Sequence, residues 1–172
     1  LTDDDIEAIT GYAEGATIIF TAVISDASGN SITGTQSSTT LLVDQVIPSV
    51  NAIATSALSW GAVLNATEDN SAGTVTVTTV GVEDGQTLTI TLNGDTYTGS
   101  VSSNSVTVTI TAAGLQALTD GQSYTMTADV SDADGNAAAQ VTSSAFTVDK
   151  SAPSINAIAT SALSWGAVLN AT

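Results

Sequence analysis

Thr87-Leu88-Thr89-Ile90-Thr91-Leu92-Asn93-Gly94, in residues 87–94, is the stretch of sequence that decides the fold. Polar and apolar residues alternate through its first six positions, which is the period of a strand with one buried face. An Asn-Gly pair follows, and this pair favours the left-handed backbone of a two-residue hairpin turn. The stretch therefore predicts an antiparallel hairpin with one face in a hydrophobic core.

The same alternation recurs at short intervals along the chain, and turn residues separate one stretch from the next. It is clear in residues 74–78 and 106–110, while residues 112–118 are the one helix-like piece. The predicted strands are 49–54, 61–66, 74–80, 86–93, 96–101, 105–111, 123–131 and 139–148. Short strands at this spacing predict an all-β fold, an immunoglobulin-like (Ig-like) antiparallel β-sandwich.

A segment of seventeen residues, NAIATSALSWGAVLNAT, occurs twice without change. Its copies in 51–67 and 156–172 are 105 residues apart, and the two prolines, Pro48 and Pro153, have the same spacing. A repeat with the length of one small domain indicates a tandem array. The predicted organisation is the C-terminal part of one Ig-like repeat in 1–44, a complete repeat in 45–149 and the N-terminal part of the next in 150–172.

The two flanking pieces contain only some of the strands of the complete repeat. Residues 15–22 align with 121–128, and 25–30 align with 131–136, so the first flank corresponds to the end of a repeat. Neither flank can bury its own apolar face. We expect that both pair with protein outside these 172 residues or that the real molecule continues, and neighbouring repeats of the same chain are the expected partners.

Charge is the second strong signal. Seventeen Asp and Glu residues stand against Lys150 alone, and the formal net charge is -16. Such a chain does not bind nucleic acid or dock on an anionic membrane, and no apolar run is long enough for membrane insertion. Two explanations stay open, a solubilising acidic surface as in proteins from salty habitats, or divalent cations that supply the missing charge. The position of many acids in loop motifs favours the second.

Calcium is the divalent cation that suits these loops, because it takes about six to eight oxygen ligands from flexible Asp, Asn and Gly segments. Residues 132–136, Asp-Ala-Asp-Gly-Asn, have this character, residues 65–70 form a second oxygen cluster, and Asp44 and Asp149 mark the ends of the repeats. The spacing does not fit an EF-hand, and the glycine-rich calcium nonapeptide is absent. The alternative for 132–136 is an ordinary turn capped by its first Asp.

Catalysis is poorly supported by the composition. Without His or Cys, and with one Lys, the usual bases and nucleophiles are missing. The acid pairs at 68–69 and 83–84 are the candidates for a carboxylate hydrolase, but neighbours on a strand point to opposite faces. Trp60 and Trp165 are interpreted as core or joint-packing residues rather than as a platform for a ligand. We predict that the chain is not an enzyme.

Four motifs, taken in order, carry a resemblance to a known family. They are the Val-Asp-x-x-x-Pro joint, Leu-Asn-Ala-Thr-Glu in 64–68, Gly-Val-Glu-Asp-Gly-Gln-Thr-Leu-Thr-Ile in 81–90 and Val-Ser-Asp-Ala-Asp-Gly-Asn in 130–136. This set resembles the tandem bacterial Ig-like repeats of giant RTX and Bap-type adhesins, and most of all the calcium-dependent extender repeats of a marine ice-binding adhesin. Where that family has Asp-Gly before the second motif, this chain has Trp60-Gly61, which argues against a ligand at position 60.

The resemblance implies secretion through a type I system, display on a Gram-negative cell surface and calcium within and between repeats. By this resemblance the expected calcium ligands are Asp26, Asp44, Glu68, Asp69, Asp132, Asp134, Asn136 and Asp149. The expected function is that of a calcium-stiffened extender, a spacer that projects the distal adhesive module of a large adhesin in cell adhesion and biofilm formation. The alternative is an Ig-like adhesion module that binds carbohydrate or a host surface directly.

Overall fold

The computed structural model describes residues 2–168, which contain fourteen strands, two short α-helices and three 3₁₀ turns. The helices are α1 (Asp3–Glu7) and α2 (Ala112–Gln116), and the 3₁₀ turns are Thr55–Ala57, Glu68–Asn70 and Thr160–Ala162. The strands are β1 (Thr17–Ile18), β2 (Val23–Ser25), β3 (Ser31–Thr33), β4 (Leu41–Leu42), β5 (Ser49–Val50), β6 (Val63–Asn65), β7 (Gly73–Val80), β8 (Thr87–Leu92), β9 (Asp95–Ser100), β10 (Ser105–Ile110), β11 (Ser123–Tyr124), β12 (Met126–Asp129), β13 (Val141–Thr142) and β14 (Phe146–Asp149). The predicted all-β class is confirmed.

Three sheets enclose one hydrophobic core. Their strand orders are β13-β12-β8-β9, β10-β7-β5 and β11-β14-β6. Ile90 from the first sheet, Val75 from the second and Phe146 from the third are at most 1% exposed and belong to a single cluster of buried side chains. The alternating residues face inward as the sequence predicts, so the β-sandwich is confirmed.

The hairpin predicted from the opening stretch is present. β8 and β9 pair antiparallel from Thr87 opposite Ser100 to Leu92 opposite Asp95. The two turn residues have left-handed backbones, with φ of 52° at Asn93 and 90° at Gly94. Both values are those that a two-residue hairpin turn requires.

The two C-terminal strands differ from the prediction, because each of them changes sheet. The stretch predicted as 123–131 divides into β11, which pairs with β14, and β12, which pairs with β8. The stretch predicted as 139–148 divides into β13 and β14, and β14 pairs with β6 in parallel. At this corner the buried Ser143 hydroxyl accepts a hydrogen bond from the Met126 N–H at 2.9 Å. An alternating sequence does not indicate which sheet a strand joins.

Trp60 is a core residue, as interpreted from the sequence. It is 5% exposed and meets Phe146 edge to face, with ring centroids 5.4 Å apart. The indole lies so close to β7 that a Cβ added at Gly73 would be 2.5 Å from Trp60 Cζ3. Glycine at position 73 therefore makes room for the tryptophan.

The second copy of the repeated segment has the same local structure in a different environment. Thr160–Ala162 forms a 3₁₀ turn like Thr55–Ala57. However, Trp165 is 55% exposed where Trp60 is buried, and Ile158 is 75% exposed where Ile53 is 2% exposed. Trp165 is thus not buried among the described residues, and its interpretation as a core or joint-packing residue stays a prediction.

The first flank forms two small sheets, β1 with β4 and β2 with β3. Its Ile24 and Ile32 are 71% and 68% exposed. The expectation that protein outside this chain covers such faces stays a prediction, and so do the repeat boundaries after Asp44 and Asp149. None of the helices in the described residues has the length and apolar character needed to cross a membrane.

Candidate functional site

Asp44 and Asp134 meet at one end of the sandwich. Asp44 follows β4, and Asp134 lies in the loop between β12 and β13. The pKa of the Asp134 carboxyl is raised, first by its hydrogen bond to Asp44 and then by burial. The negative charges of Asp44, Asp132 and Glu83 raise this pKa further. Several carboxyl groups are therefore crowded at this end, and we name this set, with Glu14, the joint cluster.

Asp132 organises the loop that carries Asp134. Its Oδ1 accepts the backbone N–H groups of Asp134 at 3.1 Å and Asn136 at 2.7 Å, and its Oδ2 accepts the Asn136 side-chain amide at 2.9 Å. Burial acts to raise the pKa of Asp132, but these hydrogen bonds outweigh it and the pKa is lowered. The turn capped by its first Asp, which was the alternative to a calcium loop, is thus present.

The loop of the first flank repeats this arrangement. Asp26 accepts the backbone N–H groups of Ser28 and Asn30 and the Asn30 side-chain amide, each at 2.9 Å. Hydrogen bonding by Asn30, first from its side chain, lowers the pKa of Asp26. The two loops differ at their third position, where Asp134 has its counterpart in Ser28. Only the loop of the complete domain therefore adds a second carboxylate, the one that meets Asp44.

Two residues of the joint cluster were not among the residues expected from the sequence to bind calcium. Glu83 Oε2 accepts the Ala133 N–H at 2.9 Å, and the Glu14 carboxylate accepts the Gln45 N–H. Asp84, the neighbour of Glu83, instead accepts the Ser103 N–H at 2.6 Å, so this acid pair does not share a cleft. The sequence does contain a signal for Glu14, because the alignment of the repeats places it opposite another acid, Asp120.

The joint cluster fits calcium in the chemistry of its donors. Hard carboxylate and carbonyl oxygens are the ligands that calcium prefers. The Asn136 amide reaches the Asp44 carbonyl at 3.4 Å, so the loop and the joint backbone are in contact. Within residues 2–168, however, no three acidic side chains are arranged so that they could hold a metal ion together. The donor types are suitable, while a complete ligand geometry is not formed.

The other end of the sandwich holds the second group of predicted ligands. Asp149 Oδ1 accepts the Ser151 N–H at 3.2 Å, as Asp44 Oδ1 accepts the Val46 N–H at 2.9 Å in the preceding repeat. Glu68 Oε2 accepts the Asn65 N–H at 3.0 Å. Glu68 and Asp149 also line one groove with Pro153. The two repeat ends therefore have the same turn at the equivalent Asp.

Asp69 contacts the single cation of the chain. Its Oδ2 lies 3.0 Å from Lys150 Nζ, and the two side chains are 9% and 18% exposed. The same Nζ donates to the carbonyl oxygens of Leu118 at 2.9 Å, Gln116 at 3.1 Å and Leu115 at 3.4 Å. These carbonyls belong to the end of α2 and the turn after it, where a helix leaves its last carbonyls free to accept further hydrogen bonds. The Leu115 carbonyl also accepts the Leu118 N–H at 3.2 Å.

The structure thus divides the predicted calcium ligands between the two ends of one domain. Asp44, Asp132, Asp134 and Asn136 lie at the joint cluster. Glu68, Asp69 and Asp149 lie at the opposite end, and Asp26 lies apart in the first flank. That these residues bind calcium stays a prediction.

The fold and the paired repeat ends define an Ig-like β-sandwich of a tandem array. No protein-family model and no curated protein matches the chain. Solved structures do match. A bacterial immunoglobulin-like domain from the M. primoryensis ice-binding adhesin is 32% identical, with 60% of this chain and 96% of that domain covered and a TM-score of 0.41.

Two larger adhesin structures match as well. One, from work on host cell surface retention of a bacterial ice-binding adhesin, is 29% identical, with a TM-score of 0.43. The other, a Ca²⁺-stabilised adhesin that helps an Antarctic bacterium to reach out and bind ice, is 30% identical, with a TM-score of 0.46. Each match covers 78% of this chain, which spans 42% and 32% of the length of those two structures.

The identity over nearly the whole of the M. primoryensis domain is the finding that assigns the family. The TM-scores all lie below 0.5 and add nothing to this assignment. The chain belongs to the bacterial immunoglobulin-like domains of the ice-binding adhesin type. The matched structures are parts of adhesins rather than enzymes.

Proposed function

We propose that this chain is a calcium-stiffened extender segment of a large bacterial surface adhesin. Each Ig-like domain is a rigid unit, and calcium at the joints fixes one unit against the next. The segment thereby projects a distal adhesive module away from the cell. The chain is secreted and displayed at the cell surface, and its immediate partners are neighbouring repeats of the same adhesin.

The crowding of Asp44 against the loop that carries Asp134 is the observation that carries this proposal. The Asn136 amide of this loop reaches the Asp44 carbonyl at 3.4 Å, and Asp44 lines one groove with Glu83 and Asp132. Asp44 lies at the end of the first flank and Asp134 in the complete domain, so the acids come from both sides of the predicted boundary. Carboxylates this close repel one another unless a proton or a cation lies between them. The pKa of Asp134 is raised first by its hydrogen bond with Asp44 and then by burial, and the repulsion between the carboxylates raises it further. A cation that binds both carboxylates would stabilise the joint and restrict its bending.

Calcium is the cation that these donors favour. Asp44 and Asp134 would hold it, with Glu83, Asp132, Asn136 and Glu14 as the neighbouring oxygen donors. At the opposite end of the domain we propose Glu68 and Asp149 as calcium ligands. In the first flank we propose Asp26. Bound calcium supplies positive charge that the chain itself lacks. A ligand that binds only the folded state stabilises it, by about 2.7 kcal/mol at a concentration one hundredfold above Kd.

The comparisons support the adhesin context. All three matched structures are parts of adhesins, and one of these adhesins is described as Ca²⁺-stabilised. The exact repetition of seventeen residues supports a spacer, because the same surface then recurs along the array. Direct recognition of a sugar would need exposed aromatic residues at a domain end, whereas Trp60 of the complete domain is buried against Phe146.

Thermal unfolding with and without calcium tests the proposal. We expect calcium to raise the melting temperature of the 172-residue chain by several degrees over its value in excess EDTA. In a single domain of about 100 residues, such as the complete repeat, 1 kcal/mol of stabilisation corresponds to about 4–8 °C. The double variant Asp44→Asn/Asp134→Asn should lose most of this increase, since it removes both charges of the central pair.

The matched control is Asp95→Asn, which makes the same chemical change at an exposed position of the β8–β9 hairpin. This variant should keep the full response to calcium. An unchanged melting temperature of the wild-type chain in excess EDTA would rule out calcium stiffening. An undiminished response in the double variant would rule out the joint cluster as its site.

A further inference from the structure

Lys150 is held by residues of the domain that it follows. Its Nζ is within 3.4 Å of four oxygen atoms, the Asp69 carboxylate and three carbonyls near the end of α2. Its backbone N–H donates to Asp120 Oδ1 at 2.7 Å. We name the four oxygen atoms around Nζ the oxygen cage.

The oxygen cage has the composition of a cation site. One buried carboxylate supplies a negative charge, and backbone carbonyls supply further hard oxygens, which together are the donors that small cations prefer. An ammonium group with three N–H bonds fits the cage, because the close carbonyls of Gln116 and Leu118 and the Asp69 carboxylate accept one bond each. Asp69 is 6% exposed, so its charge would be costly without a partner.

The preceding repeat end has no such cation. Gln45 occupies the position that corresponds to Lys150, one residue after Asp44. Its backbone N–H still donates to the acid at the equivalent turn, Glu14, as the Lys150 N–H donates to Asp120. The backbone attachment is therefore common to both repeat ends, while the ammonium group distinguishes the second.

We propose that Lys150 is a tethered cation that occupies a cation site of the domain, so that this one site is filled without free calcium. The site is formed by Asp69 and the carbonyls near the end of α2. A repeat with a neutral residue at this position, as Gln45 is, leaves the corresponding site to a free cation. The two ends of the complete domain thus differ, since only the second has a carboxylate, Asp69, that is paired with an ammonium group. This inference does not depend on calcium at the joint cluster.

Cleavage by trypsin at Lys150 reports directly on the cage. Lys150 is the one Lys or Arg residue in the chain, so the Lys150–Ser151 bond is the only tryptic site. Trypsin must bind the lysine side chain in its own pocket, which requires that Nζ leave the cage. When opening and closing are fast, the cleavage rate of the native protein follows the population of the open form.

We expect Asp69→Asn to accelerate cleavage at least about tenfold at a temperature well below melting, because it removes the charge that holds Nζ. The matched control Asp84→Asn makes the same change where the carboxylate accepts the Ser103 N–H, away from Lys150. It should leave the rate unchanged, and EDTA should accelerate cleavage of the wild-type chain far less than Asp69→Asn does. Equal rates for Asp69→Asn and wild type would overturn the proposal. So would wild-type cleavage in EDTA as fast as that of Asp69→Asn.

A second variant, Lys150→Gln, tests the cation site itself with calcium chloride in a Tris buffer free of sodium and potassium. Without calcium this variant should melt on the order of 10 °C lower than wild type, because Asp69 loses its buried partner. Calcium should then raise its melting temperature by more than it raises that of wild type. Adding Asp69→Asn to Lys150→Gln should abolish this excess. An equal calcium response in Lys150→Gln and wild type contradicts the proposal.

This experiment separates the two proposals. Failure of the joint cluster would appear as a wild-type chain that does not respond to calcium. The oxygen cage would still be tested by the trypsin rates and by the difference between Lys150→Gln and wild type. A normal joint response with no effect of Asp69→Asn on cleavage would contradict only the tethered cation.

Discussion

Trp60 and Trp165 have identical neighbours in sequence and different surroundings in the structure. Trp60 is 5% exposed and packs on Phe146, whereas Trp165 is 55% exposed. The seventeen residues are therefore sufficient for the local 3₁₀ turn, but burial depends on strands that only the complete domain provides. The environment rather than the residue type decides what the side chain contributes to stability.

Trp60→Ala should therefore destabilise the complete domain by about 3–5 kcal/mol, which is the usual cost of removing a large aromatic side chain from a core. Trp165→Ala is the matched control in the same sequence, and it should change the free energy of unfolding of this domain by less than about 0.5 kcal/mol. Urea unfolding of both variants measures the difference. Equal losses would show that the core described around Trp60 does not carry the stability of the domain.

Asp120 links the stability of the second repeat end to pH. The Lys150 N–H, at 2.7 Å, is the first cause that lowers the pKa of Asp120 below 3.8, and the Ser151 hydroxyl, at 2.8 Å, is the second. Because the pKa is lower in the folded state, Asp120 stabilises the fold above its unfolded pKa, and this contribution is lost as pH falls through the folded pKa.

We expect Asp120→Asn to weaken the acid dependence of stability. Urea midpoints measured from about pH 5 down to about pH 2 should fall less steeply for the variant than for wild type. Near neutral pH the variant should be the less stable of the two, since an amide is a weaker acceptor for the Lys150 N–H. Parallel curves for the two proteins would mean that Asp120 has the same pKa in the folded and unfolded states.

Among the elements, the β8–β9 hairpin is the one that local sequence predicts best. Its alternation, its turn and its register all follow from residues 87–94. Gly94 has φ of 90°, and a Cβ added there would meet no atom within 4 Å. The cost of a side chain at this position therefore comes from the backbone alone.

Gly94→Ala should accordingly lower the free energy of unfolding by roughly 1–2 kcal/mol, the cost of a left-handed conformation for a residue with a Cβ. Gly34→Ala is the matched control, because Gly34 does not have a positive φ and its nearest contact would be the Ala22 carbonyl at 3.5 Å. Denaturant unfolding of the complete domain should not respond to the control. A tolerated Gly94→Ala would mean that the turn changes its conformation without cost.

Elements that depend on distant partners were predicted less well. The division of residues 123–131 and 139–148 between two sheets requires the corner at Ser143, whose partner Met126 is distant in sequence. The parallel pairing of β14 with β6 joins strands more than 80 residues apart in the chain. Periodicity is a local property, so it predicts a strand and its buried face but not the sheet that the strand joins.

The candidate sites show the same limit. The Asp-x-Asp-Gly-Asn motif predicts the loop at 132–136. The spacing of the repeats predicts an acid at each repeat end, Asp44 and Asp149. The approach of Asp134 to Asp44, and the position of Glu83 and Glu14 in the same groove, depend on how the first flank meets the domain. The pairing of Asp69 with Lys150 likewise depends on the end of α2. Residue types were therefore predictable, whereas their combination into two separate clusters was not.

At the scale of the whole molecule, charge is the property that the proposed function must explain. The net charge is -16, and the single Lys lies at one repeat end. The acids of the joint cluster oppose close contact between units unless cations reduce the repulsion. Calcium at the joint cluster would thus convert a repulsive boundary into a stiff one, and the array into an extended rod.

Small-angle X-ray scattering of the 172-residue chain in calcium and in excess EDTA tests this central claim most directly. With calcium we predict a longer maximum dimension and a narrower distribution of shapes, because the first flank is held against the complete domain through Asp44 and Asp134. EDTA should shorten the maximum dimension and broaden the distribution. Scattering curves that superimpose in calcium and EDTA would contradict the account of a calcium-stiffened extender.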